Sequence, residues 1–121
     1  MWAAAGGAAM ATAVAAGAFG AHGLEARLSA VALGWWHTAA QYHCYHGLGL
    51  FAVAWLASRG APVRVAGWLM VIGLVLFSGS LYLLALTGLR WLGMVTPLGG
   101  TAWIIAWVMV ARAALHDTPA A

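Results

Sequence analysis

The side chains with the greatest chemical potential cluster in one stretch, Trp35-Trp36-His37-Thr38-Ala39-Ala40-Gln41-Tyr42-His43-Cys44-Tyr45-His46-Gly47. Its surroundings are strongly apolar, and an ionisable side chain inside an apolar span is costly and is a functional candidate by default. If the segment is a helix starting near Thr38, a rise of about 1.5 Å per residue puts His43 roughly 8 Å and His46 roughly 12 Å along it. His43 and His46 are three residues apart and Tyr42 and His46 are four apart, so each pair shares a face. Gly47, one turn beyond His43, leaves room for a neighbouring helix or a ligand.

Three chemistries are open to this pattern. Neutral imidazole is a common metal ligand, so a metal or haem site is one. Two histidines on one helix are too few for it, however, and His22, Glu25 or His37 would have to complete the shell. The second is a relay for protons or a polar ligand through one leaflet. The third is structural, with His, Tyr and Gln tying helices together by hydrogen bonds worth about 0.6 kcal/mol each on average. The structural reading leads, and no metal or cofactor is expected.

A second group lies in Gly17-Ala18-Phe19-Gly20-Ala21-His22-Gly23-Leu24, followed by Glu25. Gly20 and Gly23 allow a sharp exit from a helix, and His22 can hydrogen-bond its last carbonyls. The functional alternative puts His22 and Glu25 at the mouth of a bundle, with Arg90 as counter-ion to Glu25. The candidate polar site is therefore His22, Glu25, Tyr42, His43, His46 and Arg90. A hydrolase or transferase needs a nucleophile with a base and an orienting partner. No such set, phosphate loop, carboxylate pair or spaced cysteine pair is present, so no enzymatic activity is expected.

Composition dictates the solvent in which these residues must be placed. The 121 residues are 65% hydrophobic and 6% charged, against about a quarter charged in soluble domains. A soluble fold this small could not hide so much apolar surface. The formal charge of +3 comes from five arginines, no lysine and two acids, Glu25 and Asp117. The arginines are scattered singly, which excludes the clustered basic face of a nucleic-acid binder. A lone cysteine, Cys44, has no internal disulfide partner and reads as a small buried hydrophobe.

A spanning helix needs about 20 mostly apolar residues. Four segments qualify, at about 2–21, 38–58, 65–87 and 97–115. The first lacks the basic n-region of a signal peptide and is too long for its apolar core, so it reads as a span. Arg59-Gly60-Ala61-Pro62-Val63-Arg64 is a tight turn, and Pro97 suits the first turn of the last helix with Thr96 as N-cap. Between the first two spans, Leu24, Leu28, Val31 and Trp35 recur at helical spacing, which predicts a short interfacial helix over 24–36. The expected fold is thus all-α, a single domain over 1–121 forming a bundle of four transmembrane helices with one interfacial helix after the first. Ala9, Ala13, Gly17 and Ala21 offer a small-residue face for close packing of the first helix.

Four spans put both termini on one side. That side holds Arg59, Arg64 and Arg112, and the other holds Arg27 and Arg90, a slight positive-inside bias toward cytoplasmic termini. Trp35, Trp36 and Trp91 fall at one interface and Trp2, Trp55 and Trp68 near the other, as aromatic belts do. Trp103 and Trp107 lie one turn apart within the last helix.

The segments Gly17–Leu24, Tyr42-His43-Cys44-Tyr45-His46, Gly79-Ser80-Leu81-Tyr82-Leu83-Leu84-Ala85-Leu86-Thr87-Gly88 and Thr96-Pro97-Leu98-Gly99-Gly100 resemble the small membrane-protein family DUF423, also called UPF0382. Its eukaryotic relatives are the transmembrane protein 256 group. The resemblance runs in order along nearly the whole chain. It implies a multi-pass protein of the bacterial inner membrane and no particular reaction, because the family has no established biochemical activity. In it His22 and His46 match motif histidines, His43 stands where Gln is common, and Gly47 and Gly49 stand where Ala is usual. The leading expectation is a non-enzymatic bundle that acts through contacts with membrane lipids, a homo-oligomeric partner or a larger complex. The runner-up is a small transporter or ligand-binding protein with a polar cleft at His22, Glu25, His43 and His46.

Overall fold

The computed structural model describes residues 1–116, and among them every regular element is helical. Five α-helices form four rods. Helix α1 (Trp2–Phe19) closes in a π-helical turn, Gly20–Leu24. Helix α2 (Ala30–Ser58) is one uninterrupted rod of 29 residues, about 43 Å long at 1.5 Å per residue. Helix α3 (Arg64–Gly73) runs through a π-helical segment, Leu74–Gly79, into α4 (Ser80–Thr87) without leaving the right-handed region. Gly88, at a left-handed φ of 71°, stops this rod and returns its N–H to the Leu84 carbonyl. After a 3₁₀ turn, Arg90–Met94, helix α5 (Thr96–His116) completes the bundle.

The expected interfacial helix over 24–36 is not a separate element. Residues 25–27 are turn and residue 28 is a bend, and Ser29 caps α2 by accepting the Ala32 N–H at 3.2 Å. Ala30 to Trp36 are the first two turns of α2. The amphipathic spacing there reflects a helix end half covered by its neighbours: Trp36 is buried, Leu33 and Trp35 are half-buried, and Val31 is exposed.

Packing fixes the direction of each rod. From α2 to α1, Trp36 reaches Ala16, His43 reaches Thr12, Gly47 meets Ala9 and Met10, and Phe51 meets Gly6. One number rises as the other falls, so the two helices run antiparallel along their whole shared length. The α3–α4 rod is antiparallel to α2, through Ser78 with Ala39 and Met70 with Gly49. Helix α5 is antiparallel to that rod, through Gly73 with Trp103 and Phe77 with Gly99. The result is an up-down-up-down bundle. The N-terminus, the Arg59–Pro62 turn and the end of α5 share one end, and the Gly20–Ser29 and Gly88–Val95 connections share the other.

Helix α2 is central, touching α1, α3, α4 and α5. The main core forms around it at the Arg59 end, from Leu50, Val53, Leu56, Val63, Ala66, Met70, Trp103 and Ala106. Leu81, Leu84, Leu92 and Ala39 pack at the opposite end. Three stretches are long and apolar enough to cross a membrane: Trp2–Leu24, Arg64–Thr87 and Arg90–His116. Helix α2 has the length but not the apolarity, because the His, Gln and Tyr side chains of its middle dilute it.

Candidate functional site

The polar middle of α2 faces three different neighbours, and each histidine has its own. Counted from the true helix start at Ala30, His43 and His46 lie about 20 and 24 Å along a rod of about 43 Å, so both are at mid-depth. His46 is 6% exposed. Its Nδ1 lies 2.7 Å from the Tyr42 carbonyl one turn back, and its ring lies flat on the Trp103 indole of α5, centroids 3.4 Å apart and planes 3° from parallel. Trp103 is buried at 3% exposure and donates its Nε1 proton to the Met70 carbonyl at 3.1 Å. Gly73 makes the seat for this indole, since a Cβ there would lie 2.7 Å from Trp103 Cε2. His46 therefore points into the bundle, as an imidazole in hydrocarbon must. Its partner is α5, not the small-residue face of α1, which instead receives Gly47 at Ala9.

His43 is half-buried and turns the other way. Its Nε2 lies 3.3 Å from Thr12 Oγ1 on α1, and its Nδ1 lies 3.3 Å from the Tyr82 hydroxyl on α4. One imidazole thus links three rods. Tyr82 also tilts against Trp36, with centroids 4.6 Å apart, and Trp36 Nε1 donates to the Ala16 carbonyl at 2.8 Å. Ser78, inside the π-helical segment, donates to the Ala39 carbonyl at 2.9 Å. Ser80 meets the Thr96 hydroxyl at 2.7 Å. The hydroxyl expected to cap α5 thus joins α5 to α4. Among the described residues, every buried side-chain nitrogen and oxygen has a hydrogen-bond partner.

The six candidate residues are not brought into one site. Tyr42 stays with His46, as the spacing predicts, with ring centroids 6.2 Å apart. His43 and His46 do not meet, because three residues along a helix also turn the side chain by about 60° of arc, and here that arc separates α5 from α1 and α4. His22 and Glu25 are exposed at the far end, as is Arg90. Among the described residues no ion pair joins Glu25 to Arg90, so the expected counter-ion role is not realised. No group of three or more His, Cys, Asp or Glu side chains among the described residues could hold a metal ion. Cys44 is half-buried, its sulfur 3.9 Å from that of Met10.

Thr12, Ser78, Tyr82 and Trp103 are site residues that sequence reasoning missed. Trp103 was visible as a tryptophan inside a span, where aromatic belts do not place one. Tyr82 sits within the Gly79–Gly88 motif. Nothing in the sequence marks which face of α4 or α5 turns toward α2.

One concavity borders the stacked pair. Tyr42, Phe77, Gly100, Trp103 and Trp107 line a groove of about 430 Å³ that opens on the flank of the bundle, with His46 in its floor. Its wall is almost wholly aromatic and aliphatic. This suits an apolar group and offers no polar cleft.

The chain was compared with known proteins. A family described as "Protein of unknown function (DUF423)" matches residues 16–100. The UPF0382 membrane protein YwdK of Bacillus subtilis is 56% identical over 106 residues, covering 85% of this chain and 86% of the relative. The UPF0382 membrane protein SSP2132 of Staphylococcus saprophyticus is 50% identical over 99 residues, with 81% and 82% covered. The UPF0382 membrane protein SERP0230 of Staphylococcus epidermidis is 49% identical over 104 residues, with 85% of each covered. No solved structure matches the chain.

Proposed function

The chain belongs to the DUF423 family of membrane proteins of unknown function, and we propose that it is a non-enzymatic bundle whose four rods all cross the bacterial inner membrane. Its working surface is the lipid-facing exterior, which makes contacts with lipids and partner chains. Support for the fourth crossing comes from register. Helix α2 lies against α1 from the Trp36–Ala16 contact to the Phe51–Gly6 contact, which supports a shared path across the bilayer. Both termini then share one side with Arg59, Arg64 and Arg112, and the slight arginine bias favours the cytoplasm for that side.

One observation carries the non-enzymatic reading: both mid-depth histidines are consumed by packing. His46 is sealed against Trp103 and the Tyr42 carbonyl, and His43 is shared between Thr12 and Tyr82. Neither opens onto a polar cleft in which a substrate could be held. Meanwhile Val75, Ile104, Val108 and other large apolar side chains are more than half exposed, which only lipid or another protein can accommodate. Proteoliposomes test this reading. The expected result is a proton permeability no greater than that of empty vesicles, unchanged by His43→Gln and His46→Gln. A histidine-dependent proton current lost in both variants would refute it in favour of the transporter.

A further inference from the structure

Packing holds the His46 ring without using all of it. One face lies on the Trp103 indole, and Nδ1 lies 2.7 Å from the Tyr42 carbonyl. A carbonyl only accepts, so Nδ1 carries the proton of the neutral ring and Nε2 is left as a lone-pair acceptor. Among the described residues nothing donates to Nε2, and no unpaired side-chain nitrogen is fully enclosed. Nε2 therefore reaches a surface. The 6% of His46 that stays exposed is the floor of the groove of about 430 Å³ beside Phe77 and Trp103. We propose that this groove binds a lipid-soluble ring bearing a hydroxyl, a phenol or a quinol, whose O–H donates to His46 Nε2.

The walls select the ring and its tail. Phe77 comes from the rod 64–87, and Gly100, Trp103 and Trp107 come from α5. Both rods are long and apolar enough to cross a membrane, so the mouth faces hydrocarbon and a ligand arrives through lipid. The volume falls within the range of small-molecule sites, about 300–1,000 Å³. Tyr42, Phe77, Trp103 and Trp107 favour a flat ring, because aromatic rings prefer offset or edge-on aromatic neighbours. Ile104 and Val108, at 68% and 54% exposure, extend the wall along α5 for an alkyl tail.

Nε2 selects the polar group. An unpaired acceptor facing hydrocarbon is costly, and only a donor relieves it. A water needs two to four polar partners, more than this nearly all-apolar wall offers. The carbonyl oxygens of an ester lipid or a quinone are acceptors, and would set lone pair against lone pair. A phenolic O–H supplies the donor on the ring that the walls fit.

The full-length protein in dodecylmaltoside micelles is offered octylphenol or its methyl ether, octylanisole, at equal concentration in the micelle. Retained ligand is measured by native mass spectrometry. Wild type is expected to retain the phenol about fivefold over the ether, the factor that corresponds to about 1 kcal/mol for one hydrogen bond between neutral groups. The nitrogen NMR resonance of His46 Nε2 should move with the phenol and stay in place with the ether. His46→Phe keeps a ring on Trp103 and should retain both ligands equally. Gly100→Leu fills the groove and should lose both at unchanged helicity. Equal retention by wild type, an Nε2 resonance unmoved by the phenol, or a preference that survives His46→Phe overturns the site. So does a dimer that Gly100→Leu dissociates, since a second copy would then own the groove. Displacement of the phenol by decylubiquinol under anaerobic conditions, with none by decylubiquinone, places the natural ligand among quinols. Displacement by monophenols alone places it among phenols without a redox role, and equal displacement by quinol and quinone overturns the donor requirement.

Discussion

Two adjacent glycines in α5 face the same neighbour with opposite consequences. A Cβ added at Gly99 would overlap the Phe77 backbone nitrogen and lie 2.8 Å from Phe77 Cβ and 2.9 Å from Phe77 Cα, whereas one at Gly100 would meet only the edge of the Phe77 ring at 3.7–3.8 Å. Ordinary contact begins near 3.4 Å. Backbone cannot rotate away as a side chain can, so Gly99→Ala must part α5 from the π-helical segment by about 1 Å. A gap of that size forfeits about a quarter to a half of the dispersion energy of the atom pairs it separates. In a bilayer such packing is the main force between helices. The Trp103–Met70 hydrogen bond, already 3.1 Å long one turn away, stretches beyond useful range, a loss of about 1 kcal/mol. Overpacking contributes about 1–3 kcal/mol more. Against this, alanine is a better helix former than glycine by about 1 kcal/mol. Gly99→Ala is therefore expected to destabilise by about 1–3 kcal/mol, and Gly100→Ala to be neutral or stabilising by up to about 1 kcal/mol. The assay is the unfolding midpoint in mixed micelles, followed by helical circular dichroism. Equal midpoints for the two variants would refute the close crossing of α5 on the π-helical segment.

Two further outcomes follow from the same geometry. His46→Phe keeps a flat ring on Trp103 and should unfold nearer to wild type than His46→Ala, which loses a stacked pair worth about 0.5–1.5 kcal/mol. The reverse order in the same unfolding assay would show that the imidazole nitrogens, not the ring face, matter. Single cysteines at Ala3 and Ala121 should be labelled from the same side of intact inner-membrane vesicles. Labelling from opposite sides would break the up-down-up-down arrangement across the membrane.

The membrane class, the all-helical fold and three long apolar helices were legible in the sequence because they depend on local quantities. Apolar run length, the Gly60 and Pro62 turn and the Gly88 stop are properties of a few neighbouring residues, and a bilayer imposes one length scale on all of them. The segments around His22, His46, Tyr82 and Pro97 likewise carried the family resemblance without any knowledge of contacts. Local reading failed at 24–36, where an amphipathic pattern is compatible with a separate interfacial helix or with the half-covered start of a longer one. Only the neighbours that bury Trp36 distinguish them. Helix α2 shows the same division. Its polar residues lower its apolarity below that of the other rods, yet they are tolerated because α2 is central and finds partners on α1, α4 and α5. Sequence placed His43 and His46 on a shared face because their spacing permits it. Tertiary packing separated them, since helices arriving from opposite flanks each claim the side chain nearest to them. A helix fixes where its side chains point around its own axis, but which neighbour stands in each direction is set by the whole bundle.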